Sequence, residues 1–243
     1  MSPPSPAILA LHGNLGSPED WDLPGLPDLR VIDLWDHVDL PFDAFAKALA
    51  GPLSEGLQTP ILAGYSLGGR LALHALAAEP GRWSGAVLLS AHPGLTRVED
   101  RLDRHRADAT WSERARTGEW EDFLDLWNAQ PVFGAVSESL QFRQRRLVSR
   151  RTEMAKAFLN WSLSRQEDLR EVLARFEAPV LWISGENDER FTRIGAEMVE
   201  VFPVFRHVIV PGCGHRVLAE GGDALVREIA GFVGEIQSSR TVP

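Results

Sequence analysis

The chain has 243 residues, of which 44% are hydrophobic and 24% charged, as is ordinary for a globular protein with one substantial core. The formal net charge of −9 argues against charge-driven binding to nucleic acid, and no apolar run approaches the roughly 20 residues that cross a membrane. Residues 1–6 lack the basic residues of a signal or transit peptide, and a single cysteine, Cys213, fits a reducing compartment, so we expect a cytoplasmic protein.

Short apolar runs alternate with longer helical patterns along the chain, as in a parallel sheet flanked by helices. Six runs lack polar–apolar alternation and predict strands that are buried on both faces: residues 7–11, 31–34, 60–63, 86–90, 180–184 and 207–210. Helices are predicted over residues 42–50, 68–78, 194–202 and 223–237. This order predicts an α/β fold with a mostly parallel sheet.

Residues 95–176 differ from the rest, because they contain no convincing strand. Their apolar residues have helical spacing, as in Trp120, Phe123, Leu124 and Trp127. Since an unstructured loop of this length is improbable in a compact domain, we expect a helical insertion between two strands. The predicted organisation is a core of residues 1–94 and 177–243 with a helical lid at residues 95–176.

The sharpest motif is Gly-Tyr-Ser-Leu-Gly at residues 64–68, between a predicted strand and a predicted helix. This pattern is the nucleophile elbow of the α/β-hydrolase fold, in which small flanking residues permit a tight turn that projects the Ser hydroxyl from the sheet. Ser66 is therefore the predicted nucleophile or base. It needs an imidazole to accept its proton.

Two other strand ends supply candidate partners for Ser66. In this fold an acid and then a His follow the Ser along the chain. Asp188 lies in the loop after the fifth predicted strand, with Glu186 as the alternative acid, and His215 lies in the Gly-rich loop after the sixth. Because ligands bind at the C-terminal ends of the strands in such sheets, Ser66, Asp188 and His215 are the predicted catalytic triad.

An oxyanion hole is expected from two backbone N–H groups, those of Leu67 and of a residue in the loop after the first strand. That loop contains His12-Gly13, a pair common in this fold, and Asn14 is the expected second donor. The sequence contains no metal-ligand cluster and no dinucleotide-binding Gly motif, so no metal or cofactor is expected.

Arg makes up 23 of the 25 basic residues, and 14 of these lie between Arg97 and Arg175. Codon bias and solvated helix faces account for most of them. A few that converge on one site would suit an anionic small-molecule substrate, because guanidinium groups pair with carboxylates in a bidentate way.

Five blocks of sequence carry a more specific resemblance: residues 12–17 (HGNLGS), 64–70 (GYSLGGR), 92–95 (HPGL), 127–133 (WNAQPVF), and 185–191 (GENDERF) followed by 212–215 (GCGH). With these blocks the chain resembles, over nearly its whole length, the 2-succinyl-6-hydroxy-2,4-cyclohexadiene-1-carboxylate synthases of menaquinone biosynthesis. The Arg after the elbow, the HPGL block and the Trp-x-x-Gln-Pro-Val-Phe block are the most particular.

The resemblance implies a lyase in which the triad Ser abstracts a proton and an enolpyruvyl group leaves as pyruvate, with no acyl-enzyme. It also implies that Arg side chains bind a substrate with several carboxylates. The positions that match the family's substrate-binding residues are Arg70, Arg104, Arg146 (with Arg150 as the alternative), Tyr65 and Trp127.

Three departures from the family pattern bear on substrate choice. Asn14 replaces a frequent aromatic residue, residues 33–37 read DLWDH, and Arg216-Val217-Leu218 follow His215. Two other hypotheses use the same fold. One is a serine carboxylesterase or C–C bond hydrolase, whose activity would not change in Arg70→Ala, and the other is a non-catalytic binding protein.

Overall fold

The computed structural model describes residues 8–26, 28–134 and 136–239. Ala7, the first residue of the predicted first strand, and residues 1–6, where the sequence shows no signal or transit peptide pattern, lie outside the described residues. The structure confirms a strand at each predicted position, with bounds that shift by up to two residues. The strands are β1 (Ile8–Leu11), β2 (Leu29–Ile32), β3 (Ile61–Tyr65), β4 (Gly85–Leu89), β5 (Val180–Gly185) and β6 (Phe205–Val210).

All six strands are parallel and form one sheet in the order β2-β1-β3-β4-β5-β6. The central strands are buried on both faces, which explains their unbroken apolar runs. Alternate residues enter two cores, since Leu9 and Leu62 join one apolar cluster whereas Ile8 and Ile61 join the other.

Helices cover both faces of the sheet. The helices are α1 (Phe42–Ala50), α2 (Leu67–Ala78), α3 (Val98–Thr117), α4 (Trp120–Asn128), α5 (Glu138–Arg146), α6 (Arg151–Asn160), α7 (Arg170–Leu173), α8 (Glu189–Glu197), α9 (Val217–Glu220) and α10 (Gly222–Ser239). Helices α1 and α2 pack on one face, and α10 packs on the other. In the described part of the chain, no helix combines the length and apolar character needed to cross a membrane.

The segment between β4 and β5 is helical, as the sequence predicts, and carries α3 to α7. Trp120, Phe123, Leu124 and Trp127 form the buried face of α4. Helix α6 ties the segment to the core, because the indole N–H of Trp161 just after it donates to the Leu40 carbonyl at 2.9 Å. The lid helices are thereby held over the sheet.

The predicted helix at residues 194–202 is wrong at both ends. Helix α8 begins at Glu189, directly after Asp188, and ends at Glu197, where a short 3-10 turn, Met198–Glu200, follows. Asp188 caps this helix, since its Oδ1 accepts the Phe191 N–H at 3.2 Å. The first turn of α8 is mostly polar, so apolar periodicity does not indicate where the helix begins.

Candidate active site

Ser66 lies in a strained turn between β3 and α2, with φ of 51° and ψ of −106°. The flanking glycines are required by space. A Cβ on Gly64 would lie 2.5 Å from the Gly68 carbonyl oxygen, and one on Gly68 would overlap the carbonyl of Leu11. The Ser66 N–H donates to the Leu89 carbonyl at 2.9 Å, so the neighbouring strand β4 anchors the turn.

The structure brings the three residues predicted as a triad into one hydrogen-bonded series. Ser66 Oγ lies 3.0 Å from His215 Nε2, and His215 Nδ1 lies 2.8 Å from Asp188 Oδ2. His215 and Asp188 are both buried. Because the carboxylate accepts a hydrogen bond from Nδ1–H, Nε2 of the neutral imidazole carries no proton and is free to accept that of Ser66.

Glu186, the alternative acid, has a different partner. Its Oε2 accepts the Gly212 N–H at 2.8 Å and so braces the loop that carries His215. Asn187 braces the same loop, because its N–H donates to the Cys213 carbonyl at 2.8 Å. Cys213 is buried in this loop, and its burial raises the pKa of the thiol. These contacts fix the distance between the Asp188 and His215 loops.

The predicted oxyanion donors lie beside Ser66. Leu67 is the first residue of α2, so its N–H has no acceptor within the helix. Asn14 lines the same cavity as Ser66, and its side-chain oxygen accepts the Leu15 N–H at 3.1 Å. His12 shapes this loop, because its Nδ1 lies 2.8 Å from the Gly13 carbonyl and its Nε2 accepts the Leu34 N–H at 3.0 Å.

A cavity of about 390 Å³ opens above Ser66 between the sheet edge and the lid. Ser66, Leu67 and His215 line its floor, and Trp127 and Phe133 line its lid side. Its volume suits a small organic molecule. No group of three or more potential metal ligands comes together among the described residues.

Two of the predicted substrate arginines line this cavity. Arg70 is 8% exposed and donates to Gln166 Oε1 at 3.3 Å. Burial, together with the nearby charge of Arg104, lowers the pKa of Arg70 to about 9, so the group stays protonated at neutral pH. Arg104, on α3, pairs through Nε with both carboxylate oxygens of buried Asp108, at 2.9 and 2.8 Å.

Arg190 is a third cation in the cavity, and the sequence analysis missed it. It lies on the first turn of α8, two residues after Asp188, and makes no ion pair with the described carboxylates. Burial lowers the pKa of Arg190, and the positive charge of Arg104 acts in the same direction. Its place in the GENDERF block next to the predicted acid was the signal that could have found it.

Arg146 and Arg150, the two candidates for the third substrate arginine, do not line the cavity. Arg146 lies 3.5 Å from Glu19 with its side chain 60% exposed, and Arg150 pairs with Asp36 at 2.8 Å. Both side chains extend from the end of α5 and the turn after it towards acidic residues of the core loops. The prediction that Arg146 or Arg150 faces the cavity is therefore wrong, and Arg190 is the third arginine that lines it.

The two predicted aromatic residues have different surroundings. Trp127 lines the main cavity, as expected. Tyr65 does not line it but borders a smaller adjoining pocket, where its ring covers Gly13 so closely that a Cβ there would lie 2.6 Å from Tyr65 Cε1. Burial raises the pKa of the Tyr65 hydroxyl, which therefore remains a neutral donor.

Ser90 and His92, at the end of β4, are further polar residues of the cavity. His92 Nδ1 accepts the Gly94 N–H at 3.1 Å. Burial, followed by the charge of Arg190, lowers the pKa of His92 to about 3, so the ring is neutral and carries its proton on Nε2. Ser90 Oγ is buried and has no hydrogen-bond partner among the described residues.

A parallel sheet with a Ser on a strand–helix elbow and an Asp-supported His at the same edge defines an enzyme of the α/β-hydrolase fold. Residues 8–228 match the model of the Alpha/beta hydrolase family. The 2-succinyl-6-hydroxy-2,4-cyclohexadiene-1-carboxylate synthase of Enterobacter sp. (strain 638) is 33% identical, over 94% of this chain and 92% of its own length. The chain belongs to this synthase family within the α/β hydrolases.

A second relative supports the family, and two solved structures below 25% identity support the fold. The synthase of the same name from Escherichia coli O1:K1 is 31% identical over 94% of each chain. The solved structure of MenH from S. aureus superimposes with a TM-score of 0.87 at 24% identity, over 96% of this chain and 95% of that one. A thermophilic esterase from Thermogutta terrifontis has a TM-score of 0.70 at 19% identity, over 96% and 90%, which shows the shared fold alone.

Proposed function

We propose that this enzyme is a lyase that eliminates pyruvate from 2-succinyl-5-enolpyruvyl-6-hydroxy-3-cyclohexene-1-carboxylate and forms the product for which its relatives are named. The observation that carries the proposal is the convergence of Arg70, Arg104 and Arg190 on the cavity that contains Ser66. Three guanidinium groups around a reactive Ser suit a substrate with several carboxylates and poorly suit a neutral ester.

Proton abstraction is the step assigned to Ser66, His215 and Asp188. His215 Nε2 takes the Ser66 proton, and the Ser66 oxygen then removes a proton from a ring carbon of the substrate. The released electron pair forms a new ring C=C bond, the existing ring C=C bond shifts by one position, and the C–O bond to the enolpyruvyl group breaks. Asp188 stabilises the His215 imidazolium, which then gives up the proton that converts the departing enolate into pyruvate, so the triad returns to its starting state.

The N–H groups of Leu67 and Asn14 are the proposed donors to the oxygen on which negative charge develops. No acyl-enzyme forms, because Ser66 acts as a base. The arginines hold the carboxylates so that the ring carbon meets Ser66 in the reactive orientation. Arg70 is fixed by Gln166, and Arg104 is fixed by Asp108, so both cations are oriented before the substrate binds.

The test is a coupled assay of pyruvate release from the freshly generated enolpyruvyl substrate, run beside hydrolysis of short acyl esters by the same preparation. The proposal predicts rapid pyruvate release and little ester cleavage. Fast ester cleavage without pyruvate release would refute it and support a carboxylesterase. Binding of the substrate without either reaction would support a non-catalytic protein.

A further inference from the structure

A small pocket of about 40 Å³ adjoins the catalytic cavity. Asn14, Trp127 and Phe133 line both spaces, so a ligand in the cavity can extend one group into the pocket. The remaining wall combines apolar residues with five polar or charged side chains: Asp20, Tyr65, Arg143, Gln144 and Arg216. The proposed mechanism leaves this wall without a role.

Arg216 is the unusual member of the wall. Its side chain is 5% exposed, its Nη2 donates to Asn128 Oδ1, and its guanidinium carbon lies 4.2 Å from the Phe133 ring centroid. Its Nη1 is buried and has no hydrogen-bond partner among the residues that the structure describes. A buried cation with an unused donor is unfavourable unless a ligand supplies an acceptor.

The carboxylates near Arg216 have other partners. Glu220 Oε2 accepts the Gly214 N–H at 2.6 Å. Asp20 lies 3.4 Å from Arg143 Nε, and its Oδ2 accepts the Ser17 N–H at 3.1 Å. Among the residues that line the pocket, Arg143 and Arg216 are cationic and Asp20 is acidic, so positive charge exceeds negative charge there, and the Tyr65 hydroxyl is a neutral donor.

We infer that Arg216 forms, with Tyr65, a second carboxylate-binding subsite on the opposite side of the shared wall from the arginine cluster of the main cavity. This inference rests on the proposed function, because a substrate with several carboxylates needs more than one set of cations. The subsite holds one carboxylate while Arg70, Arg104 and Arg190 hold another. Arg216 directly follows His215, which accepts the Ser66 proton, so a carboxylate held by Arg216 places the substrate beside the Ser66–His215 pair.

The test compares wild type with Arg216→Gln, which removes the charge but can still donate to Asn128, and with Arg216→Lys, which keeps the charge. We expect Arg216→Gln to raise KM for the enolpyruvyl substrate about tenfold or more, with kcat changed less than about threefold, and Arg216→Lys to recover part of the loss. Arg145→Gln is the matched control, because Arg145 is exposed on α5 and pairs with Glu121. An unchanged KM in folded Arg216→Gln overturns the inference.

Titrations with pyruvate and with succinate, followed by calorimetry, keep the inference separate from the proposed function. If wild type releases no pyruvate, the proposed function fails, but weaker binding of either anion to Arg216→Gln still supports the subsite. Selective loss of pyruvate binding assigns the subsite to the leaving group, and selective loss of succinate binding assigns it to the succinyl chain. If wild type and Arg216→Gln bind both anions equally, and Asn128→Ala raises KM as much as Arg216→Gln does, then Arg216 acts only by holding Asn128 of the lid. That result overturns the subsite. Arg216→Met, whose stem can still pack on Phe133, replaces Arg216→Gln if that variant fails to fold.

Discussion

The carboxylate of Asp188 has two partners: Oδ2 lies 2.8 Å from His215 Nδ1, while Oδ1 accepts the Phe191 N–H and caps α8. The same side chain therefore orients His215 and begins the helix that carries Arg190. Asp188 therefore links the position of the Arg190 charge to the orientation of His215. Loss of the His215 contact can be separated from loss of the cap by substituting an isosteric amide.

Asp188→Asn should lower kcat for pyruvate release by on the order of 10³- to 10⁴-fold. The amide oxygen can still accept the Phe191 N–H, but the amide nitrogen opposes the His215 tautomer that leaves Nε2 free. The measurement is kcat with a melting curve for each protein. A loss below about tenfold, with the fold intact, would remove Asp188 from the mechanism.

Arg190→Ala should raise KM for the enolpyruvyl substrate about tenfold or more, since a charge-assisted hydrogen bond contributes roughly 1.5–3 kcal/mol. Arg193→Ala provides the control, because Arg193 lies on the same helix with its side chain 74% exposed. The measurement is KM from the steady-state kinetics of both variants. Equal KM values for the two variants would contradict a role for Arg190 in binding.

Arg146→Ala should leave KM unchanged and alter stability by less than about 1 kcal/mol, because its pair with Glu19 is exposed. Arg104→Ala, in the same assay, should raise KM strongly. The comparison tests whether Arg104, and not Arg146, binds the substrate. A KM increase in Arg146→Ala as large as that in Arg104→Ala would return Arg146 to the site.

His74 should make the protein less stable as the pH falls. Burial, and then the charge of Arg70, lowers the pKa of His74 to about 3, whereas an unfolded His has a pKa near 6.5. Between these values only the unfolded state binds the proton, so the free energy of unfolding decreases by on the order of 1–2 kcal/mol from pH 7 to pH 5.

Urea unfolding at both pH values, for wild type and His74→Gln, measures this contribution. The difference between pH 7 and pH 5 should shrink by that amount in His74→Gln. His105→Gln, which alters an exposed His on α3, should retain the full difference. An identical pH dependence in wild type and His74→Gln would rule out His74 as its source.

The strands, the elbow and the loops of Asp188 and His215 were predictable because each depends on local sequence. Gly64 and Gly68 signal a turn that only small residues permit, and the apolar runs before Ser66 and Asp188 identify the strands. Once the strands are parallel, their C-terminal ends must meet at one edge.

The arginine assignments were only partly predictable, because helix rotation in the lid decides which face meets the cavity. Arg146 lies on α5, whose charged face turns towards Glu19 and Asp20. Sequence spacing does not specify that packing. The start of α8 was missed for a related reason: its first turn is polar and packs through the Asp188 cap, so apolar periodicity does not reveal Arg190.

The role of Ser66 is tested by measuring pyruvate release from the enolpyruvyl substrate by wild type and by Ser66→Ala, with substrate binding followed separately by calorimetry. We expect Ser66→Ala to bind the substrate with near wild-type affinity but to release pyruvate at least about 10³-fold more slowly. Pyruvate release by folded Ser66→Ala at the wild-type rate would contradict the central claim that Ser66 abstracts the proton.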